Sequence, residues 1–351
     1  MGLTAASDGR FAFTTKEPIG VVAAISAFNH PLNLIVHQVA PAIAVGCPII
    51  VKPAAVTPLS CLRLVDLLRE AGLDARWCQT CITDDNGLAE KLATDPRIAF
   101  LSFIGSAAVG WHLRSKLPPG TRCALEHGGA APVIVHGSAE IASVIESVAK
   151  GAYYHAGQVC VSTQRVFLDQ PIFSEFISLL SRKIETMTVG DPLSADTEVG
   201  PLILTREVDR VEQWVEEAVT TGAERIGGGR LSETTLRPAI LVNPPASARV
   251  SKLEIFGPVV CIFPFDDVAD AIHQANDVRW SFQASVFSKD IDVALKAAGH
   301  LDASAVMIND HTAFRTDWMP FAGRKESGYG VGGIPYSMRD MSHEKMIVFK
   351  Q

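Results

Sequence analysis

The sequence predicts an α/β protein built on parallel sheets. Short apolar, β-branched runs alternate with amphipathic helical stretches, and no low-complexity tract or fixed-period repeat interrupts them. The length of 351 residues suits two domains with sizeable cores. A composition of 48% hydrophobic and 20% charged residues is ordinary for such a chain.

Taken in order, residues 9–15 read weakly as a strand, followed by a clearer one at 19–24. A helix is expected at 33–44, a strand at 48–51 and a second helix at 59–70. Strands at 98–103 and 131–135 follow, with a helix at 141–154 between the latter and a strand at 164–168. Helices at 171–187 and 205–221 precede strands at 259–263, 285–287 and 305–308. A last apolar strand is expected at 345–349. The two terminal strands can pair with each other or with a partner chain. No Pro/Gly-rich linker divides the halves, and the double glycine within 126–130 is the best boundary.

The formal net charge of −7 argues against a nucleic-acid partner, since no basic stripe offsets it. No apolar run reaches the roughly 18–20 residues of a membrane helix. The first ten residues lack the charged and apolar regions of a signal peptide. Seven scattered cysteines form no disulfide framework, which points to reduced thiols and a cytoplasmic setting.

Among those cysteines, Cys160 stands out. It follows Tyr153-Tyr154-His155-Ala156-Gly157-Gln158-Val159, a helix end and a Gly-containing turn just ahead of a strand. A thiol so placed can meet oriented backbone N–H groups and act as a nucleophile. Taken alone, a lone cysteine is more often a buried structural residue. Cys78-Gln79-Thr80-Cys81 has no second pair or spaced histidines to complete a metal site, so no metal is expected. Both cysteines read as ordinary half-buried residues near a strand edge.

Other segments gain meaning by their order. Glu126 leaves an apolar stretch into Gly128-Gly129, where burial would raise its pKa toward that of a general base. Most glutamates are simply solvated. Asn29 and His30 follow the strand at 19–24, and an amide there suits either an oxyanion donor or a helix N-cap. Lys52 ends a strand where open α/β sheets bind nucleotides. Gly105 and Ser106 form a small turn ahead of a helix, as a phosphate contact requires. No G-x-G-x-x-G fingerprint occurs in the first half of the chain, which disfavours an ordinary Rossmann dehydrogenase.

Together these residues resemble the aldehyde dehydrogenase superfamily of the non-phosphorylating type. The likeness runs from about Lys16 to Gln351. It rests on Phe28-Asn29-His30-Pro31, Val51-Lys52-Pro53, Phe103-Ile104-Gly105-Ser106, Leu125-Glu126-His127-Gly128-Gly129, Gly157-Gln158-Val159-Cys160, Glu254-Ile255-Phe256-Gly257-Pro258 and Pro320-Phe321-Ala322-Gly323-Arg324. The resemblance implies a Rossmann-variant cofactor domain at 19–127 and an α/β catalytic domain at 128–324. Oligomerisation strands would lie in 1–18 and 325–351, giving a homodimer or homotetramer.

It also implies roles. Cys160 attacks the aldehyde, while its backbone N–H and Asn29 stabilise the oxyanion. Hydride passes to NAD or NADP, and Glu126 activates water to release the acid. Lys52 and Glu254 hold the cofactor's riboses, Gly105 and Ser106 meet the pyrophosphate, and Phe256 packs near the nicotinamide ribose.

Three departures from the family pattern stand out. Ala55 replaces a common glutamate that binds the adenosine ribose, which leaves NADP open. His127-Gly128-Gly129-Ala130 replaces Leu-Gly-Gly-Lys. Family members also carry a further segment ahead of Lys16, with helices covering the cofactor domain, so a shortened chain is expected. The alternative function is accordingly a catalytically silent fragment or assembly partner. Acylating chemistry with coenzyme A is a third reading, and Glu126 argues against it.

The substrate entrance is expected to draw on His30, Tyr154, Val159, His311 and Arg315. The loop Asn309-Asp310-His311-Thr312-Ala313-Phe314-Arg315 resembles branches acting on phosphonoacetaldehyde, lactaldehyde or glyceraldehyde 3-phosphate. Arg315 suits an anionic substrate group or, equally, a surface salt bridge.

Overall fold

The computed structural model describes residues 4–350. Met1–Leu3 and Gln351, the ends of the expected terminal segments, lie outside the described residues. The chain divides into two compact units, the first formed by residues 1–125, 317–320 and 330–351, the second by 126–316 and 321–329.

In chain order the first unit contributes β1 (Arg10–Pro18), β2 (Val21–Ile25), α1 (Asn33–Ala44), β3 (Ile49–Lys52) and α2 (Leu59–Glu70). β4 (Cys78–Thr80), α3 (Asn86–Ala93), β5 (Ile98–Ile104), α4 (Ala107–Ser115) and β6 (Arg122–Glu126) follow. The expected strand at 19–24 starts later because Gly20, at φ +129, turns the chain between β1 and β2. The sheet carries the order β6-β5-β2-β3-β4, with β5, β2, β3 and β4 mutually parallel. From β2 the chain moves outward through β3 to β4, then returns to place β5 on the other side of β2. The β2/β5 junction is therefore the point where strand order reverses. Gln38 of α1 braces it, donating from Nε2 to Ile25 O at 3.3 Å and to Ser102 O at 3.1 Å.

β4 and α3 were not legible as periodic runs. β4 is three residues long, and α3 is fixed by Asp85, whose carboxylate accepts from Gly87 N and Leu88 N as an N-cap. Cys78 is buried in β4, and its thiol is pushed up by burial.

The second unit opens with β7 (Ala131–Val135), α5 (Ile141–Tyr153), β8 (Thr163–Asp169), α6 (Phe173–Thr186) and α7 (Thr205–Thr220). β9 (Glu224–Gly227), β10 (Ala239–Val242), α8 (Arg249–Lys252), β11 (Val259–Phe265) and α9 (Val268–Asn276) come next. β12 (Trp280–Ser281), β13 (Gln283–Phe287), α10 (Ile291–His300), β14 (Ala305–Ile308), β15 (Arg324–Lys325) and β16 (Gly328–Tyr329) complete it. Its seven-stranded sheet has the order β14-β13-β7-β8-β11-β10-β9, with β9 alone antiparallel to its neighbour. The central strands β7 and β13 are buried throughout or nearly so, as two-sided helix cover requires. Tyr153 is wholly buried at the end of α5, and its hydroxyl donates to Ala239 O at 3.1 Å.

The chain then returns to the first unit with α11 (Ile334–Asp340) and β17 (Ser342–Lys350). β17 pairs antiparallel with β1 over their full lengths, from Arg10 against Lys350 to Pro18 against Ser342. Both terminal strands are longer than their apolar cores suggest, because polar residues extend the ladder on its open faces. Among the described residues no helix is long and apolar enough to cross a membrane.

Candidate active site

Three functional candidates share one edge of the second sheet. Glu126 leads into β7, Cys160 into β8 and Glu254, through Phe256, into β11, and these parallel strands are consecutive neighbours. Residues far apart in sequence thus reach one edge, because parallel strands present all their amino ends on the same side.

The turn that presents Cys160 is left-handed over three successive residues: His155 (φ 56), Ala156 (φ 54) and Gly157 (φ 70). Such backbone is unfavourable for His155 and Ala156 and persists only where the surroundings impose it. A Cβ on Gly157 would stand 2.1 Å from the carbonyl oxygen of Gly257, so this turn nests against the one that carries Glu254. Phe256 is itself left-handed at φ 50. Gln158 adds a tie to the neighbouring loop, accepting from Ile203 N at 3.0 Å.

The Glu126 turn is pinned by His127 N donating to Ser327 O at 2.9 Å. Gly129 lies against Cys160, since a Cβ there would be 3.6 Å from the Cys160 carbonyl. Gly129 N donates to Glu254 Oε1 at 3.1 Å. A Cβ on Gly128 would fall 1.6 Å from that same oxygen, so the glycine makes room for the carboxylate.

Electrostatics follow from this crowding. Burial, opposed by Arg315, pushes the Glu126 carboxyl up to about 7. Glu126 Oε1 is buried and has no hydrogen-bond partner among the described residues. Burial also pushes Glu254 up to about 7, against the Gly129 N–H and Arg210. Burial first, then the Glu126 and Glu254 carboxylates, push the Cys160 thiol well above its usual range, while Arg315 opposes them. The thiol is thus held neutral within electrostatic reach of a carboxyl near 7. Arg315 completes the group, its guanidinium 4.0 Å over the Phe321 ring.

Tyr154 is exposed at the end of α5, with its ring 5.6 Å from that of His155. His311 faces Asp310, Nε2 to Oδ1 at 3.8 Å, and burial lowers its pKa. The loop bearing His311 and Arg315 is anchored at Thr312, whose hydroxyl donates to Val161 O at 2.7 Å and pairs with Thr163 Oγ1 at 2.8 Å.

The remaining candidates belong to the first unit, at the carboxyl ends of its strands. Asn29 is buried and His30 half-buried beyond β2, Lys52 closes β3, and Gly105 and Ser106 follow β5. These ends flank the strand-order reversal at β2/β5, where open α/β sheets take nucleotides. Lys52 is half-buried, and desolvation lowers its pKa. Ser106 is the N-cap of α4 but makes no side-chain cap bond, which leaves its hydroxyl and the first N–H groups of α4 for an anion. A Cβ on Gly105 would meet the Phe103 ring at 2.8 Å, so this turn keeps its backbone close to the strand. Within this unit, a half-buried lysine at a strand end and an uncapped helix start have the chemistry that ribose hydroxyls and a pyrophosphate would take.

The sequence reading gave no individual role to Gln164, Arg165, Arg210, Thr312 or Phe321. Arg165 is 2% exposed and donates to the carbonyls of Ala130, Gln274 and Ala275. Thr163, Gln164 and Arg165 open a strand that is buried almost throughout. Three polar residues at the head of such a strand are a usable signal, because buried polar groups must find partners.

Residues 2–347 match the aldehyde dehydrogenase family. The 3-sulfolactaldehyde dehydrogenase of Priestia aryabhattai is 38% identical over 343 residues, which cover 97% of this chain and 72% of that protein. The structure of aldehyde dehydrogenase 21 from Physcomitrella patens, in complex with the reaction product succinate, superposes with a TM-score of 0.96 at 32% identity, covering 99% of this chain and 73% of that one. Glyceraldehyde-3-phosphate dehydrogenase GapN from Methanocaldococcus jannaschii, complexed with NADP, gives a TM-score of 0.95 at 34% identity, covering 98% and 76%. The chain belongs to the aldehyde dehydrogenase family.

Proposed function

We propose that this NAD(P)-dependent aldehyde dehydrogenase oxidises a short anionic aldehyde to the carboxylic acid through a thioester on Cys160. The observation that carries this reading is the mutual influence of Cys160, Glu126 and Arg315 within one crowded site.

Cys160 Sγ attacks the aldehyde carbon, and its proton moves to Glu126. The transfer relocates one negative charge instead of creating a second, which suits a site already holding two carboxylates. The nicotinamide cofactor, when bound, supplies the hydride acceptor that takes a thiohemiacetal on Cys160 to the thioester. Glu126, after giving that proton up to solvent, draws one from water, which adds to the thioester carbon and expels the Cys160 thiolate. Its apparent value near 7 keeps a useful fraction ionised at neutral pH. Lys52, Ser106 and Glu254 are proposed to hold the cofactor.

Arg315 supports the anionic substrate. Stacked on Phe321, it holds a cation within electrostatic reach of the thiol, where a sulfonate, phosphate or carboxylate would find it. The three relatives compared above act on a sulfonated or phosphorylated aldehyde or hold a dicarboxylate product, which fits that reading.

Self-association suits β1 and β17. Phe11, Phe13 and Phe349 stand exposed on this two-stranded ribbon, with ring centroids 5.9–6.3 Å apart. All seven cysteines are free, as a cytoplasmic setting would keep them.

The deciding experiment follows reduced-cofactor absorbance with anionic and neutral short aldehydes, using wild type and Cys160→Ala. Turnover confined to the wild type and favouring anionic aldehydes is expected. Turnover surviving in Cys160→Ala would sink the cysteine mechanism.

A further inference from the structure

Glu254 sits in a short irregular stretch between α8 and β11, with a left-handed residue two positions on. Such a stretch needs outside support to hold one conformation. The support comes from Gln164 on β8, a few residues past Cys160. Its side chain is 4% exposed and uses both ends of its amide. Nε2 donates to Leu253 O at 2.7 Å and to Val250 O at 3.0 Å, and Oε1 accepts from Ile255 N at 2.8 Å. The two peptide groups flanking Glu254 are therefore tied to the strand that follows the nucleophile. Arg210 of α7 closes the same turn from the other side, Nη2 donating to Ile255 O at 2.7 Å. An asparagine would be too short to span both sides, and an apolar residue would take away the partner of the Ile255 N–H and of the Leu253 carbonyl and leave Val250 O only the weak Cys261 thiol donor.

We propose that Gln164 is a positioning residue that, with Arg210, holds the Glu254 turn in the geometry used for cofactor binding. This rests on reading Glu254 as a cofactor contact. Gln164 touches neither cofactor nor substrate and acts through the backbone on either side of Glu254. Its loss should weaken cofactor binding and leave the alkylation rate of Cys160 by iodoacetamide, at a pH well above 7, within about twofold.

The test titrates the full chain with NADP and with NAD by calorimetry, using wild type, Gln164→Leu, Glu254→Gln and the double variant. Gln164→Leu should weaken the better-bound cofactor by about tenfold, the scale of one or two buried hydrogen bonds. The double variant should be no weaker than Glu254→Gln. Additive losses, or unchanged affinity in Gln164→Leu while Glu254→Gln weakens, overturn the proposal. Unchanged affinity in Glu254→Gln instead overturns the reading of Glu254.

Where Gln164→Leu does not fold, Gln164→Glu carries the test. Its carboxylate repels the Leu253 and Val250 carbonyls when ionised and donates one hydrogen bond when protonated. Relative to wild type at each pH, its cofactor affinity should recover as pH falls, and a flat ratio overturns the proposal.

Discussion

Gly129 donates its backbone N–H to Glu254 Oε1 at 3.1 Å, and the preceding Gly128 leaves the space that this oxygen occupies. The double glycine is thus a seat for one carboxylate. A methyl group on Gly128 would fall 1.6 Å from Glu254 Oε1, and the flexible glutamate must swing away. Gly128→Ala is therefore expected to fold, with Tm lowered by only a few degrees, the scale of about 1 kcal/mol in a large chain. Its cofactor affinity should fall about tenfold or more, the worth of a lost charged hydrogen bond. Titration with NAD and NADP checks this, and wild-type affinity would remove the seat from the cofactor site.

Glu126 is expected to set two pH dependences. Its folded carboxyl lies at about 7 against an ordinary 4.5, so the folded state holds the proton more tightly. That contribution to stability is fully present below the unfolded value and is lost as pH rises through about 7. Glu126→Gln carries no charge at any pH. Its Tm should rise relative to wild type as pH goes from about 5 to about 8. The same variant should slow thioester hydrolysis by about 100- to 10,000-fold, the usual worth of a general base. It should also lose the rise in hydrolysis rate through pH ~7. Single-turnover acid quench, with mass analysis of the acyl group on Cys160, reads the hydrolysis step directly.

Arg315 is expected to separate anionic from neutral substrates. Arg315→Ala is expected to lower kcat/KM for sulfonated, phosphorylated or carboxylated aldehydes by about 10- to 100-fold, from a charged interaction of about 1.5–3 kcal/mol. Neutral short aldehydes should lose much less. Equal losses for both classes would make Arg315 a partner of Glu126 and Cys160 only.

Ala55 lies just beyond Lys52 and is exposed. A carboxylate there would meet a 2′-phosphate with like charge. Ala55→Glu is expected to weaken NADP by at least about tenfold relative to NAD, by repulsion of adjacent charges. Steady-state kinetics with both cofactors checks the ratio. An unchanged ratio would place the adenosine ribose away from this position.

Much of this protein was legible without coordinates. The strands at 48–51, 98–103, 131–135, 259–263 and 305–308 all reappear within a few residues in β3, β5, β7, β11 and β14. Buried parallel strands announce themselves as continuous apolar runs, because both faces are covered. The short elements did not: β4, β12, β15 and β16 have two or three residues each, and neighbouring chain defines them.

The site divides the same way. Motif order singled out Cys160, Glu126 and Glu254 as chemistry-bearing residues. Nothing in their spacing shows that β7, β8 and β11 are consecutive in the sheet, since strand order is set by packing distant in sequence. Burial near 7 for two carboxylates, the left-handed turn at His155–Gly157 and the Gln164 clamp likewise exist only once that order is made. Residue identity determined which atoms can react. Tertiary structure decided their ionisation and alignment, because desolvation and hydrogen bonding depend on what the rest of the chain places around them.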